Sequence, residues 1–549
     1  MTLPAVIDMA TKQSAMSLAV TLSALFTYGF YKTWLYPQYL DPLTRIDGPS
    51  PSKIPFIGNM LAMTKKKPMM ALYDWAMEYP GSIYRYYWFT RLTLMTSDPV
   101  TAGYVLGKAN DNWLKSKDTN EIFEQNLGHS LLSMTGHEHA SHRKYLTAGF
   151  RHTYLKSMTT AFQGVAEDLV DVWNKQLLTS SAKKESSSKD SRWEQDGKTY
   201  TTIDMEPSFY CLTLDSIGQF ALGRGFEAIK NPIGPDFDNY RIIVESFQVT
   251  LLSMLPLSNW IPTKTNRRAW SAVQNFRTWM TNIVQDRKQE LLKEVQANNG
   301  DFSQEEEASS KKKDMLTMLL VDQLMGKGGS DLQIQYDVFT AIFAGHETTS
   351  AALSWTFYQL ACHPEIQSRL REETRQLYND TNGNPTYDEL NSLSYLNAVI
   401  RESLRIWSPV PLNLRVSVED DYLPRSNGLE PLFVPAGTSL HIPMFILQRD
   451  PKIWGPDGLK FNPDRWITPG KACPPPNGLC YFPFYHGKRG CIGNKIATLE
   501  LKTHVAILLN NFEFVQTPEM KANKGDIDWR WSISLKPSPG VHLGVRLAD

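Results

Sequence analysis

Cys491 stands in the stretch FYHGKRGCIG, residues 484–493, in a chain with five cysteines. Lys488 and Arg489 precede it, and Gly490 and Gly493 lie on either side. The residues that follow carry apolar side chains at Ile496, Leu499, Val505, Leu508 and Leu509. That spacing predicts a helix starting at or just beyond the cysteine. Unpaired N–H groups and the dipole at a helix start stabilise a thiolate, so local electrostatics are expected to keep this sulfur charged. Gly487, Gly490 and Gly493 permit tight backbone geometry and close approach of a flat ligand. Arg489 would set a cation beside that ligand. On these residues alone a buried structural cysteine is an equal reading. A nucleophilic cysteine is a third, with no histidine base assigned to it.

A second stretch, VFTAIFAGHETTSAALSWTF, has a helical period, and Ala344 and Thr348 fall one turn apart on one face. A threonine hydroxyl there can donate to the carbonyl four residues back and bend the helix. Gly345 removes bulk beside it. Glu347 and Thr348 form an acid–alcohol pair able to relay protons through water to a bound oxygen. A capped exposed turn or plain core packing accounts for the same residues. A zinc helix does not, because an HExxH pattern starting at His346 meets Ser350 where it needs histidine. In RESLRIW, Glu402 and Arg405 are spaced i, i+3. Such a pair is worth roughly 0.2–0.5 kcal/mol when exposed.

Together these stretches resemble the cytochrome P450 family. FYHGKRGCIG is similar to its FxxGxRxCxG haem-binding loop at Phe484, Gly487, Arg489, Cys491 and Gly493. The resemblance implies haem as cofactor, with Cys491 the axial thiolate that favours O–O cleavage. It implies Glu347 and Thr348 as the oxygen-activation pair. It implies that Glu402 and Arg405, with Arg465 of FNPDRW, form a buried charge network, which fails badly if one member is removed. Within HASHRKYL, Arg143 fits a family WxxxR pattern of haem-propionate donors, and His139 stands where tryptophan would be. Arg415 fits a further propionate partner. QRD at 448–450 departs from the HRD of many relatives, with no consequence attached.

These residues need elements to hold them. Most of residues 70–410 shows apolar side chains at three- and four-residue spacing and reads as helix. SIYRYYWF, LTLMTS and SLHIPMFI read as short strands. Stretches near 180–198 and 296–314 are too polar to bury and are expected as surface loops or disordered segments. The expected fold is mainly α with small β-sheets: one large cytochrome P450-type catalytic domain behind an N-terminal transmembrane helix. Between Lys12 and Lys32 lie 19 uncharged residues, with Tyr31, Trp34 and Tyr36 at their end like an interfacial belt. Basic residues follow this segment more than they precede it, which puts the bulk of the protein in the cytosol. Pro49, Pro51 and Pro55 predict a stiff connector. The expected division is a short lumenal N-terminus (1–12), a transmembrane anchor (13–36), a Pro-rich hinge (37–60) and a haem-binding monooxygenase domain (61–549).

Composition narrows the function. With 57 basic and 57 acidic residues, the chain lacks the basic footprint of a nucleic-acid binder. An odd, sparse cysteine set argues against a disulfide framework, one bridge across CPPPNGLC (473–480) apart. The resemblance implies a single-pass protein of the endoplasmic reticulum membrane, of eukaryotic and fungal type. It implies a monooxygenase fed by a separate NADPH-dependent cytochrome reductase, with cytochrome b5 as a second candidate donor and a docking face around Lys488. Substrate contacts are expected within 122–132, 247–255, 339–344 and 410–414. SFQVTLLSMLPLSNW is expected to dip into the bilayer surface. A lipophilic substrate follows, steroid or terpenoid, with a fatty acid or alkane as the alternative. A non-oxygenase haem protein, isomerase or sensor, is the rival of another class.

Overall fold

The computed structural model describes residues 3–79, 83–150, 152–182, 192–232, 235–247, 261–297, 314–426, 428–467 and 480–549. Helices dominate, and small sheets accompany them. In chain order the strands are β1 (Ile83–Trp88), β2 (Arg91–Thr96), β3 (Trp113–Leu114), β4 (Arg192–Gln195), β5 (Lys198–Asp204), β6 (Asn413–Ser417) and β7 (Asp421–Leu423). They continue with β8 (Leu432–Val434), β9 (Ser439–Ile442), β10 (Phe512–Gln516), β11 (Asp528–Trp531), β12 (Leu535–Ser538) and β13 (His542–Leu547). The chain divides into two compact units.

The smaller unit comprises the chain up to Val105, with Asn112–Leu114 and Leu412–Ile446. Its five-stranded sheet runs β1-β2-β9-β6-β3. β2 is buried along all but its first residue, as a central strand must be. SLHIPMFI is a strand only as far as Ile442. Pro443 removes a ladder donor, and Met444–Leu447 turns helical instead. The hinge residues pack along β1: Arg85 N donates to Asp47 O and Tyr87 N to Asn59 Oδ1. Gly48 has no room for a side chain, since a Cβ would lie 1.9 Å from Arg85 O.

The expected anchor corresponds to the helix Leu3–Phe30, which passes into π geometry over Tyr31–Leu40. Among the described residues no helix is long and apolar enough to cross a membrane. Hydroxyl residues dilute its hydropathy: Thr21 Oγ1 donates to Ser17 O and Thr27 Oγ1 to Ser23 O. Leu18, Val20, Leu22, Leu25 and Phe26 are exposed along it.

The larger unit comprises Leu106–Asp111, Lys115–Pro411 and Leu447–Asp549. Its central helix, Asp331–Cys362, is capped by Ser330 and buried along most of its length. It packs against Met205–Leu222. Gly345 makes that approach possible, because a Cβ there would meet the Ile217 side chain at 2.5 Å. The central helix stops at His363, where Pro364 opens the next helix. The helix Asn494–Asn511 packs on His152–Ala182. A four-stranded sheet, β10-β13-β5-β4, and the hairpin β11-β12 complete the unit. Part of the stretch expected as a polar loop is the β4–β5 hairpin. Its Asp196–Gly197 turn has positive φ at both positions, the geometry that asparagine- or aspartate-glycine turns favour. Cys473 and most of SFQVTLLSMLPLSNW lie outside the described residues.

Candidate haem-thiolate site

The Cys491 loop is held by its own backbone. Tyr485 N donates to Phe482 O, Gly490 N to Gly487 O and Cys491 N to Phe484 O at 2.8 Å. Phe484 and Gly490 are half-buried parts of that turn. Gly487 is required by its φ of 69° and by Leu106 O, which a Cβ would approach to 2.2 Å. Gly493 caps the helix Asn494–Asn511, and its N–H donates to the Cys491 sulfur. Burial pushes the Cys491 thiol pKa up, and the Gly493 N–H and the Arg143 charge oppose this less strongly. Cys491 is exposed as a residue, while the protein packed around its thiol desolvates it. The helix begins three residues later, and its dipole acts mainly within its first turn. Deprotonation therefore has to accompany metal binding.

His139 and Arg143 lie one turn apart on the helix Gly136–Thr147. His139 is buried, and burial followed by the Arg489 and Arg143 charges pushes its pKa down to about 3. It is a neutral imidazole at working pH. Arg143 is half-buried, and its pKa is lowered by the same desolvation. Arg489 donates to Met134 O at 2.9 Å, tying the cysteine loop to the chain just before this helix. Arg415 belongs to the smaller unit, buried in β6.

On the central helix Thr348 Oγ1 donates to Ala344 O at 2.8 Å, the bond its spacing predicts. Ala341, Ala344, Gly345 and Thr348 are only half-buried, while Ile342, Phe343, His346, Glu347 and Thr349 are buried. The opening thus follows one helical face, which Glu347 does not share. Glu347 points at the β11–β12 hairpin. Its Oε1 accepts from Ser534 Oγ at 2.8 Å and its Oε2 from Lys536 Nζ at 2.7 Å. Both side chains of that ion pair are nearly fully buried, at 6% and 2% exposure. Ser534 and Lys536 were not found from sequence, because nothing local signals a partner nearly 190 residues away.

Glu402, Arg405 and Arg465 come together. Arg405 gives Nε to Glu402 Oε2 at 2.8 Å and a terminal nitrogen to Oε1 at 2.7 Å. Arg465 Nε lies 3.4 Å from Glu402 Oε1. Asn462 N and Trp466 Nε1 also donate to Glu402. Gln448, the departure from HRD, is fully buried between this cluster and the cysteine loop. Lys488 is exposed and paired with exposed Asp111 at 2.6 Å. Of the expected substrate contacts, Phe247, Phe339 and Phe343 are buried. Phe247 and Phe343 have ring centroids 4.8 Å apart. Residues 248–255 lie outside the described set.

Haem fits these donors. Among the described residues no three His, Cys, Asp or Glu side chains group to hold a metal ion. A lone thiol on an exposed cysteine suits a metal that brings its remaining ligands in a macrocycle. Arg143, close enough to the sulfur to act on its charge, suits that ligand's anionic edge.

A model of the cytochrome P450 family matches residues 49–543. The chain is similar to cytochrome P450 monooxygenase sphH of Aspergillus fumigatus, 28% identical over 93% of this chain and 89% of that one. It is similar to cytochrome P450 monooxygenase FUM15 of Gibberella moniliformis, 28% identical over 77% of this chain and 74% of that one. Cytochrome P450 4d2 of Drosophila melanogaster is 28% identical over 91% of this chain and 93% of that one.

Proposed function

This chain belongs to the cytochrome P450 family, monooxygenases that use haem with an axial cysteine thiolate, and from that premise we propose that Cys491 is the ligand and that the protein hydroxylates a lipophilic small molecule. The observation that carries this reading is the exposed Cys491 at the end of a loop held by the Cys491 N–H to Phe484 O bond and by the Gly493 N–H. When bound, the haem supplies oxygen activation at iron. The chain's own residues orient and protonate. Arg143 and neutral His139, with Arg489, hold the propionate edge. Thr348, on the opened face of the central helix, presents a hydroxyl to the oxygen side, and Glu347 supplies protons through water. Phe484, Gly487 and Gly493 keep the loop shaped around the sulfur, and Glu402, Arg405 and Arg465 brace it from behind.

The buried Phe247–Phe343 pair, with buried Phe339 on the same helix as Phe343, supports a lipophilic substrate, a steroid or terpenoid, with a fatty acid or alkane as the other class. Electrons come from a separate NADPH-dependent reductase or cytochrome b5. Lys488 contributes little net charge to that docking face, since Asp111 neutralises it. The exposed apolar side chains of the N-terminal helix support attachment of residues 13–36 to the endoplasmic reticulum membrane. Residues 37–60 then connect to a cytosolic catalytic domain at 61–549. The test is the spectrum of the reduced carbon monoxide complex. The purified protein should show the red-shifted Soret band of a thiolate-ligated haem, and Cys491→Ala should abolish it. Persistence of the band in that variant refutes the ligand assignment.

A further inference from the structure

The QRD tripeptide gives each of its residues a separate hydrogen-bonding task. The helix Ser394–Ile406, which carries Glu402 and Arg405, ends with carbonyls that lack intrahelical partners. Gln448 Nε2 donates to two of them, Leu404 O and Arg405 O, each at 3.1 Å. Arg449 Nε donates to the next, Ile406 O, at 2.7 Å. Asp450 caps the turn Pro451–Trp454 through Lys452 N. Gln448 has a further contact that leads to the sulfur. Its Oε1 accepts the Phe482 N–H at 2.8 Å. Phe482 O then accepts Tyr485 N, and Phe484 O accepts Cys491 N. From the other side, Arg405 donates to Gln448 O at 2.6 Å. Residue 448 therefore joins the Glu402–Arg405 ion pair to the first residues of the cysteine loop, through its backbone carbonyl on one side and its amide on the other.

The side chain at 448 decides how many of these bonds can form. A glutamine amide offers two N–H donors and an acceptor oxygen, and all three are used here. A neutral imidazole offers one donor and one acceptor, so a histidine could keep the Phe482 bond and one helix carbonyl but would leave the other uncapped. Gln448 is fully buried, so water cannot replace a lost partner without entering the core.

We propose that Gln448 is a positioning residue, the link through which the buried Glu402–Arg405 pair sets the start of the Cys491 loop and so the placement of the sulfur on iron. The proposal rests on the reading of Cys491 as the axial ligand, and Cys491→Ala tests that reading separately. Gln448→Leu keeps bulk and removes all three side-chain bonds; Gln448→His restores two of them. Each is purified with haem and reduced under carbon monoxide. Two temperature profiles are recorded, one of the red-shifted Soret band and one of helical circular dichroism. In Gln448→Leu the fraction of haem without the shifted band should rise about tenfold at 25 °C. The band should also be lost at a temperature where helix content is still intact. Gln448→His should fall between Leu and wild type. If the band and the helix signal shift together in Gln448→Leu, or neither shifts, the residue is ordinary core and the proposal fails. If Gln448→Leu does not accumulate folded, Gln448→His decides alone. Separation of its two profiles supports the link, and coincidence of them overturns it.

Discussion

Two buried carboxylates in the larger unit are held in opposite ways. Glu402 takes five donors among the described residues: two from Arg405, and one each from Arg465, Asn462 N and Trp466. Glu347 takes one per oxygen, from Ser534 and Lys536. A carboxylate offers about four lone-pair sites. Glu402 is saturated, and its arginine is also spent on the carbonyls of Gln448, Gly458 and Lys460. Glu347 has acceptor capacity left for water. Its cation is a lysine on a flexible stem, a point charge rather than a rigid fork. A saturated ion pair cannot exchange protons without dismantling its surroundings. A sparsely held one can, and the contrast separates a brace from a relay.

The contrast breaks most visibly at Arg405. Arg405→Ala strands Glu402 in a site with no exposure and should cost about 3–5 kcal/mol, with little haem-loaded protein recovered. Thermal unfolding and haem content measure this. A variant as stable as wild type would remove the bracing role. Lys536→Met should cost less, about 3 kcal/mol, because Glu347 keeps its Ser534 donor and can take up a proton in place of the lost charge partner. Its unfolding midpoint should lie between wild type and Arg405→Ala. Equal costs for the two variants would mean that both pairs are structural. Glu347→Gln should be the mildest for stability, about 1 kcal/mol. It should retain haem yet lower coupled turnover about 10²-fold, with peroxide released in place of product. Unchanged product yield per NADPH would take the proton role away from Glu347.

What the sequence made legible was whatever is local along the chain. The Thr348 bond to Ala344 spans four residues, and Glu402 and Arg405 are three apart, so helical period alone brings each pair together. The helix after Cys491 starts at Asn494, as its apolar spacing requires. Contacts that close over long separations were not legible. Lys536 reaches Glu347 across 189 residues, and Gln448 reaches Phe482 across 34. Gly48 against Arg85 O shows why the hinge follows β1, a contact that proline content alone could not reveal. At Cys491 desolvation of the sulfur opposes the nearby N–H and cation, a balance that the residue spacing did not reveal. The membrane-spanning expectation met a helix that its own serines and threonines make too polar.

A pH background sets where the two carboxylates can be compared. His441 and His504 are buried, and burial pushes both pKa values down to about 3. In the unfolded chain each returns to about 6.5. Between those values the unfolded state binds more protons than the native state. Stability is therefore full above about pH 6.5 and falls as pH drops toward 3, by up to about 1.4 kcal/mol per pH unit for each histidine. His504→Gln should flatten the wild-type decline in unfolding midpoint between pH 6 and 4. At pH 7.5 it should change the slope not at all. A variant that keeps the full acid slope would show that His504 is not a source of it. Arg405→Ala, Lys536→Met and Glu347→Gln should accordingly be ranked at pH 7.5, where a difference in pH response between the two sites comes from the carboxylates rather than from buried imidazoles.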